Sequence, residues 1–362
     1  MDKLKKVRII INALKKLNLF GGRTLKTGVS VFLTAFICLL FELPVMFAVI
    51  TAIVTIENTA ADSIKKAMVR FPASAIGALL AVSFYGLLGQ NALTYALAAM
   101  LTIAVCHKLK LDDGILVATL TAIAMIPDFN SHYIVSFFMR LGTTSVGIIV
   151  SSLVNFFLLP PDYSKMIYQN IKTLFEEAAD ILEGSLPRCM NQSGEHARQM
   201  QRAYRQLTFQ LEKTYQLSQF QREEWKYHRH STKEMKAFQY AQKKLNMLQQ
   251  IAYHLGNLQY VQLKENAFTK EEKKLINSII SSMAEILRTP NHEMTDEHFH
   301  QIEQLDQEFW HWKEEHIEHP TKYRHHFPPQ TIIIYEILCL HDVLEELQDV
   351  SKDRYQLIQI PS

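Results

Sequence analysis

The sequence predicts an all-α protein, with a six-helix transmembrane domain followed by a cytoplasmic helical bundle. Six apolar segments occupy the first 159 residues, and an approximate internal repeat divides them into two groups of three. Residues 160–362 are instead rich in Lys, Glu, Gln and His at helical spacing. The predicted domains are a basic amphipathic cytoplasmic segment at 1–26, a transmembrane domain at 27–160, and a cytoplasmic all-helical domain at 161–362.

The internal repeat places residues 42–83 over residues 112–153 without a gap. This alignment matches Thr51 with Thr121, Arg70 with Arg140, and Gly77 with Gly147. Each copy holds three apolar segments, and because three is odd, the second copy enters the bilayer facing the other way. Many secondary transporters have such an inverted repeat, with the transport site between the copies. The alternative is that the likeness reflects membrane composition alone.

Residues 3–19 place apolar side chains on one helical face with Lys and Arg interspersed. This pattern fits a helix on an anionic membrane surface, and equally a helix packed on the soluble domain. Several of the apolar segments that follow are shorter than the ~20 residues that span a bilayer. The second and fifth, which are equivalent in the repeat, are the shortest, which is typical of broken helices around a site. The six segments are 25–41, 43–56, 72–88, 92–107, 114–126 and 135–159.

Basic residues predict the orientation of these segments. The first 26 residues contain eight Lys or Arg and a single acid, Asp2. Further basic clusters follow segments two and four, whereas the connections after segments one, three and five contain no Lys or Arg. All basic connections fall on one side, so the positive-inside rule places both termini in the cytoplasm, at the cell membrane.

The carboxy-terminal half is predicted to form long helices without strands. Thr269 and Glu272 form a capping box, while Gly184–Pro187 and Thr289–Pro290 predict breaks. Two of the helices exceed 30 residues, which favours an elongated bundle. The predicted helices are 163–184, 196–228, 232–264, 270–288, 295–318 and 329–350.

Arg70 and Arg140 are the strongest candidates for binding an organic anion. An arginine among apolar side chains is costly in lipid, so it should face protein, water or an interface. Its planar fork of donors suits the two oxygens of a carboxylate. The alternative is that both arginines extend to lipid headgroups or form structural pairs.

Other polar candidates carry weaker arguments. Arg23 and Lys26 could form a cationic vestibule or simply anchor the chain on the inner side. Thr51 and Thr121 could line a polar path or bond back to their own helices. Glu57, at the membrane edge, could carry protons or be a solvated loop carboxylate.

Small residues recur every four positions in segments three and six. Such stripes let helix backbones approach closely in lipid, so we interpret them as packing surfaces. The residues are Ala73, Gly77, Ala81, Thr143, Gly147 and Ser151.

Motifs of enzymes and nucleotide-driven pumps are absent from the sequence. It contains no Walker A sequence, no GxGxxG fingerprint, no nucleophile elbow and no HExxH. The four cysteines stand far apart without CxxC spacing, as buried hydrophobic residues do. We therefore expect no catalytic residues, no metal, no cofactor and no nucleic-acid partner.

Several motifs resemble those of the bacterial aromatic acid exporter family: the run Arg23-Thr24-Leu25-Lys26-Thr27-Gly28, the Thr51-Ala52-Ile53 segment, and Arg70 followed by Gly77. The two-part layout, with the membrane half ending in Leu-Pro-Pro, is also similar. This resemblance implies a multi-pass membrane exporter of aromatic or other small organic carboxylates, related distantly to fusaric-acid resistance proteins and plant malate channels. Larger relatives carry duplicated membrane halves, which implies a homodimer here. The rival interpretation is a membrane-anchored sensor or scaffold acting through its cytoplasmic helices.

Overall fold

The computed structural model confirms the predicted all-α class: within the residues it describes, all regular structure is helical. The predicted amphipathic segment at 3–19 lies outside the described residues. The described residues are 21–128, 133–158, 160–190, 194–228, 230–261, 263, 267–318 and 327–359.

Residues 21–128 and 133–158 form six α-helices. Among these described residues, three stretches are long and apolar enough to cross a membrane, namely all of α1, all of α3 and residues 134–157 of α6. Helices α2 and α5 have only eleven residues each, in agreement with the short second and fifth segments. The helices are α1 (Gly22–Leu40), α2 (Val45–Thr55), α3 (Ala60–Leu88), α4 (Ala92–Lys108), α5 (Ile115–Met125) and α6 (Tyr133–Phe157).

The chain divides into two compact units. The first unit comprises Met1–Asp162 together with a separate segment, Phe220–Arg229, and the second comprises Tyr163–Gln219 and His230–Ser362. A short piece of the carboxy-terminal half therefore belongs to the first unit.

Helix packing in the first unit follows the repeat. Helices α1 and α2 pack against α6, helices α4 and α5 pack against α3, and α3 packs against α6. Replacing each helix by its equivalent in the other copy leaves this pattern unchanged. Each copy thus packs its first two helices against the third helix of the other copy.

Individual contacts recur at the same spacing of seventy residues. A Cβ added to Gly77 would overlap the carbonyl of Ala118, and one added to Gly147 would overlap the carbonyl of Ala48. The two glycines are seventy residues apart in the sequence, and so are the two alanines. The same close approach between helices is therefore made once by each copy. The hydroxyls of Ser74 and Thr144, also seventy residues apart, lie 3.4 Å from each other. If a two-fold axis relates the two copies, equivalent residues of the copies meet at that axis, as Ser74 and Thr144 do.

The likeness of the two copies also extends into α1 and α4, at a spacing of 68. Thr34 and Cys38 of α1 are buried, as are Thr102 and Cys106 of α4. Both helices end in the same left-handed turn: Leu43 N donates to Cys38 O at 2.8 Å, and Leu111 N donates to Cys106 O at 2.9 Å. Two additional residues, Asp112 and Asp113, then restore the spacing of seventy.

The second unit consists of long helices that start close to the predicted positions. The predicted break at Gly184–Pro187 is wrong, because α7 continues past it, with Gly184 packed against the side chain of Met200. The capping box of Thr269 and Glu272 is confirmed. The helices are α7 (Ser164–Met190), α8 (Gly194–Glu224, assigned to this unit as far as Gln219), α9 (Thr232–Tyr260), α10 (Lys270–Arg288), α11 (Asp296–Glu318) and α12 (Pro329–Gln359).

Buried histidines are a feature of the second unit. His292 is 2% exposed, and its Nε2 accepts a hydrogen bond from the ammonium of Lys244 at 2.9 Å. His298, 1% exposed, places its Nε2 3.2 Å from Nδ1 of His341. Burial, with the Lys244 charge as a second cause, lowers the pKa of His292 to about 4. Burial, with His341 second, lowers the pKa of His298 to about 4.

We predict that Gly77→Ala and Gly147→Ala destabilise the first unit. Each added methyl group meets a backbone carbonyl, which cannot move without displacing a helix, and overpacking of this kind costs about 1–3 kcal/mol. Gly86→Ala on α3 and Gly142→Ala on α6 are matched controls, because a Cβ there meets nothing within 4 Å. Thermal unfolding in detergent measures the difference, and equal midpoints for all four variants would contradict the packing described.

We also predict that acidification from pH 7 to pH 5 destabilises the second unit. Unfolded histidine binds a proton near pH 6.5, whereas His292 and His298 stay neutral in the fold until about pH 4. The unfolded state therefore binds more protons, and the free energy of unfolding falls by on the order of 1–2 kcal/mol per histidine.

His298→Gln should flatten this pH dependence, whereas His311→Gln, at an exposed position of the same helix, should not. Denaturant unfolding of each variant at both pH values, followed by the fluorescence of Trp310 and Trp312 in α11, measures the effect. Equal slopes for His298→Gln and the unsubstituted protein would exclude this histidine as a source.

Candidate anion site

Arg70 is buried in the first unit and has one unused donor. Its side chain is 7% exposed. Nη2 donates to Glu57 Oε1, and Nε donates to the carbonyl of Asp113 at 3.2 Å. Nη1 is also buried, with no hydrogen-bond partner in the described part of the chain. A buried guanidinium with a free donor is chemically suited to a carboxylate oxygen.

Two breaks in the helices position the partners of Arg70. The chain leaves α2 at Thr55 and enters α3 at Ala60, and the stretch between them carries Glu57. A 3₁₀ turn at Asp112–Gly114 brings the Asp113 carbonyl close to α3. A Cβ on Gly114 would overlap Ala73, so only glycine allows this approach. Ala73, predicted as a packing residue, thus packs beside the arginine.

Glu57 lies between two cations. Besides Arg70, it contacts Lys66, whose Nζ is 3.1 Å from Glu57 Oε2 and 2.9 Å from Asp62 Oδ2. In the second copy, the position equivalent to Glu57 is Pro127. The carboxylate at position 57 is therefore not repeated at the equivalent position of the second copy.

Asn155, which the sequence reasoning missed, joins Lys26 to the break between α2 and α3. Lys26 Nζ donates to Asn155 Oδ1 at 2.8 Å, and both residues are buried. Asn155 Nδ2 lies within hydrogen-bond distance of Ser63 Oγ (2.6 Å) and of the carbonyls of Thr59 (3.0 Å) and Glu57 (3.2 Å). A lone asparagine inside an apolar helix is the signal that could have identified it.

Arg140 occupies a different environment from Arg70. It is 6% exposed, its Nη2 donates to Thr121 Oγ1 at 3.1 Å, and its guanidinium carbon lies 3.8 Å from the centre of the Phe47 ring. Thr121 in turn lies 3.0 Å from Ser74. A hydroxyl chain therefore leads from Arg140 to the contact between Ser74 and Thr144.

The two arginines lie on opposite sides of that contact. Asn155 meets Ser63 while Thr144 meets Ser74, so α3 and α6 run antiparallel. Each arginine precedes the central hydroxyl of its own helix by four residues, which is about 6 Å along the helix axis. Arg70 thus lies on the Asn155 side and Arg140 on the far side, with roughly 12 Å between their helical positions.

The remaining predicted residues also lie in the first unit. Arg23 Nη2 donates to the carbonyl of Ile56 at 3.3 Å, at the end of α2. Thr51 donates to the carbonyl of Phe47 at 2.9 Å, as the alternative interpretation of the threonines expects. Thr143 and Ser151 donate to carbonyls of their own helix, at Arg140 and Ile148, and Ala81 is fully buried.

Known proteins resemble this chain in both halves. Residues 18–158 match the model of aromatic acid exporter family member 1. A UPF0421 protein of Bacillus cereus is 47% identical over 343 residues, which are 94% of this chain and 97% of that protein. A UPF0421 protein of Halalkalibacterium halodurans is 38% identical over 92% of this chain and 90% of its own length. One from Oceanobacillus iheyensis is 37% identical, over 92% and 96%.

Proposed function

We infer, from the premise that this chain belongs to the aromatic acid exporter family, that it is a transporter exporting aromatic or other small organic carboxylates across the cell membrane. The observation that carries this proposal is the pair of buried arginines on either side of the Ser74–Thr144 contact. Ionisable side chains buried among membrane helices are costly and commonly mark ion or substrate pathways. Transport of an anion requires no catalytic residue, so we propose that the protein is not an enzyme.

The proposed membrane domain comprises residues 27–160, crosses the bilayer six times and has both termini in the cytoplasm. Helices α2 and α5, at eleven residues, are about 16 Å long and cannot cross a ~30 Å hydrocarbon core alone. The non-α-helical stretches 56–59 and 112–114 belong to connections on the cytoplasmic side of this topology and lie beside Arg70. We propose that they form the cytoplasmic entrance of the path.

In this topology the substrate carboxylate meets Arg70 from the cytoplasm. Nη1 of Arg70 offers a donor while Glu57 still occupies Nη2, so the anion binds without first removing the internal carboxylate. The hydroxyls of Ser74, Thr121 and Thr144 then provide partners on the way to Arg140. Phe47, whose ring lies against the Arg140 guanidinium, places an aromatic side chain beside this end of the path.

We propose that Glu57 keeps the affinity at Arg70 moderate. Binding must be favourable enough to admit the anion and weak enough to release it. A carboxylate already bound to the same guanidinium reduces its attraction for a second one. We further propose that two copies pair in the membrane, as the family resemblance implies, and that residues 161–362 lie in the cytoplasm.

Labelling of engineered cysteines tests the topology. A cysteine at Asn91, in the exposed connection between α3 and α4, should react with an impermeant thiol reagent added outside intact cells. A cysteine at Lys65, exposed near the start of α3, should react only after the cells are opened. External labelling at Lys65 would contradict the six-span arrangement.

Substitution of the arginines tests the transport path. Each charge-assisted hydrogen bond to a carboxylate contributes about 1.5–3 kcal/mol, so Arg70→Gln or Arg140→Gln should weaken anion transport about tenfold or more. Lysine should rescue only in part, because it restores charge without the planar fork. Arg205→Gln, at an exposed position of α8, is the matched control.

The measurement is the concentration dependence of labelled carboxylate efflux from proteoliposomes, normalised to correctly inserted protein. Unchanged normalised flux in the glutamine and lysine variants of both Arg70 and Arg140 would place the pathway elsewhere. Absence of flux of every carboxylate in the unsubstituted protein would instead favour a membrane-anchored sensor or scaffold.

A further inference from the structure

The segment Phe220–Arg229 comes from the carboxy-terminal half of the sequence, yet it packs within the first unit. The chain enters it from Gln219 and leaves it at His230, both of which belong to the second unit. The sequence predicted one helix over 196–228, whereas the helix ends at Glu224 and turns follow. The segment contacts α3 through Glu224 and α6 through His228.

Glu224 places a carboxylate on the first turn of α3. It is 1% exposed, and its Oε2 accepts a hydrogen bond from the backbone N–H of Ala60 at 2.9 Å. Glu223 approaches the same turn, with its Oε2 3.5 Å from the hydroxyl of Thr59. The amino-terminal end of a helix carries partial positive charge, so a carboxylate there is stabilised. Glu224 thus occupies the positive end of the 29-residue helix that carries Arg70.

His228 attaches the other end of the segment to α6. Its Nε2 lies 3.0 Å from the carbonyl of Phe156, and its ring lies 5.0 Å from the Phe156 ring. The same ring reaches back to Glu224, with Nδ1 3.0 Å from Oε1. Phe156 directly follows Asn155, which binds Lys26 and the break between α2 and α3. The segment therefore bridges α3 and α6 at the end where Arg70 lies.

Glu224 of the segment and Asn155 of α6 hold neighbouring parts of the same stretch of backbone, which carries the Glu57 partner of Arg70. Glu224 holds Ala60, Asn155 holds the carbonyls of Thr59 and Glu57, and Glu57 binds Arg70. All the held backbone groups lie in the four residues from Glu57 to Ala60. Fixing this stretch fixes the carboxylate of Glu57 on the guanidinium.

We propose that residues 220–229 form an autoinhibitory latch on the transport path. While the latch is docked, Glu224 holds the start of α3 and Glu57 stays on Arg70. When the latch leaves, Ala60 loses this partner and only Asn155 still holds the 57–60 stretch, so Glu57 leaves Arg70 more readily and the guanidinium becomes more available to a substrate carboxylate. Because both ends of the latch continue into the second unit, a rearrangement there can withdraw it. The inference rests on the proposed transport function.

Glu224→Gln tests the latch in the full-length protein, since it preserves the size of the side chain and removes its charge. Glu212→Gln, at an exposed position of the same helix, is the matched control. Hydrogen–deuterium exchange at the amides of residues 60–62 should accelerate about tenfold in Glu224→Gln and stay unchanged in the control. This readout requires no transport, so it separates failure of the latch from failure of the proposed function.

Efflux of labelled benzoate from proteoliposomes gives the second readout. Loss of one charge–dipole contact should raise the initial rate about threefold in Glu224→Gln. In the double variant Thr59→Cys/Glu223→Cys, a short reducible thiol cross-linker should hold the latch docked and lower the initial rate of efflux, and reduction should restore the rate. Unchanged exchange in Glu224→Gln would overturn the latch, and so would normal efflux from the cross-linked protein. If Glu224→Gln accelerates exchange but lowers efflux, the segment is a structural brace and the proposal is likewise wrong.

Discussion

The hydrogen bonds of Asn155 hold together the polar interior of the first unit. The break between α2 and α3 leaves backbone carbonyls without helical partners, and burying such groups unpaired is costly. The Asn155 amide nitrogen, which has two hydrogens to donate, lies within hydrogen-bond distance of the carbonyls of Glu57 and Thr59 and of the Ser63 hydroxyl, while the amide oxygen accepts from Lys26. Without this amide the break would expose unsatisfied groups, and Glu57 would lose the backbone that directs it to Arg70. One side chain from α6 therefore makes an interrupted helix possible.

Close packing of the helices brings the Asn155 amide within hydrogen-bond distance of its partners. Helix association in lipid gains little from hydrophobicity and depends on tight contact between backbones. Gly77 and Gly147 provide this contact twice, each against a carbonyl of the other copy. The antiparallel crossing of α3 and α6 then brings Ser74 to Thr144 and Asn155 to Ser63. The burial of both arginines follows from this crossing, because each lies one turn from its centre.

The sequence predicted the parts of this arrangement that depend on periodicity. Apolar segments, helix starts such as Thr269, and the paired positions of Gly77 and Gly147 follow from local patterns. The roles of Asn155 and Glu224 depend on contacts between positions about 90 to 160 residues apart, and no local pattern encodes such partners. The equivalence of Cys38 and Cys106 was missed for another reason. Asp112 and Asp113 have no counterpart in the first copy, so equivalent residues are 68 apart before them and 70 apart after them. A comparison without gaps at a spacing of seventy does not pair the two cysteines.

The same two aspartates help explain why the copies are not equivalent. Asp113 contributes the carbonyl that binds Arg70 Nε, and its position is part of the insertion, so the first copy has no counterpart. Glu57 adds a carboxylate where the second copy has proline. Arg70 is therefore held from three directions by backbone, carboxylate and glycine packing, whereas Arg140 lies against an aromatic ring and a hydroxyl. A symmetric pair of arginines would hold an anion equally at both ends. In the proposed path an anion therefore meets two unlike guanidinium environments, because Glu57 shares the guanidinium of Arg70 whereas Phe47 and Thr121 contact that of Arg140.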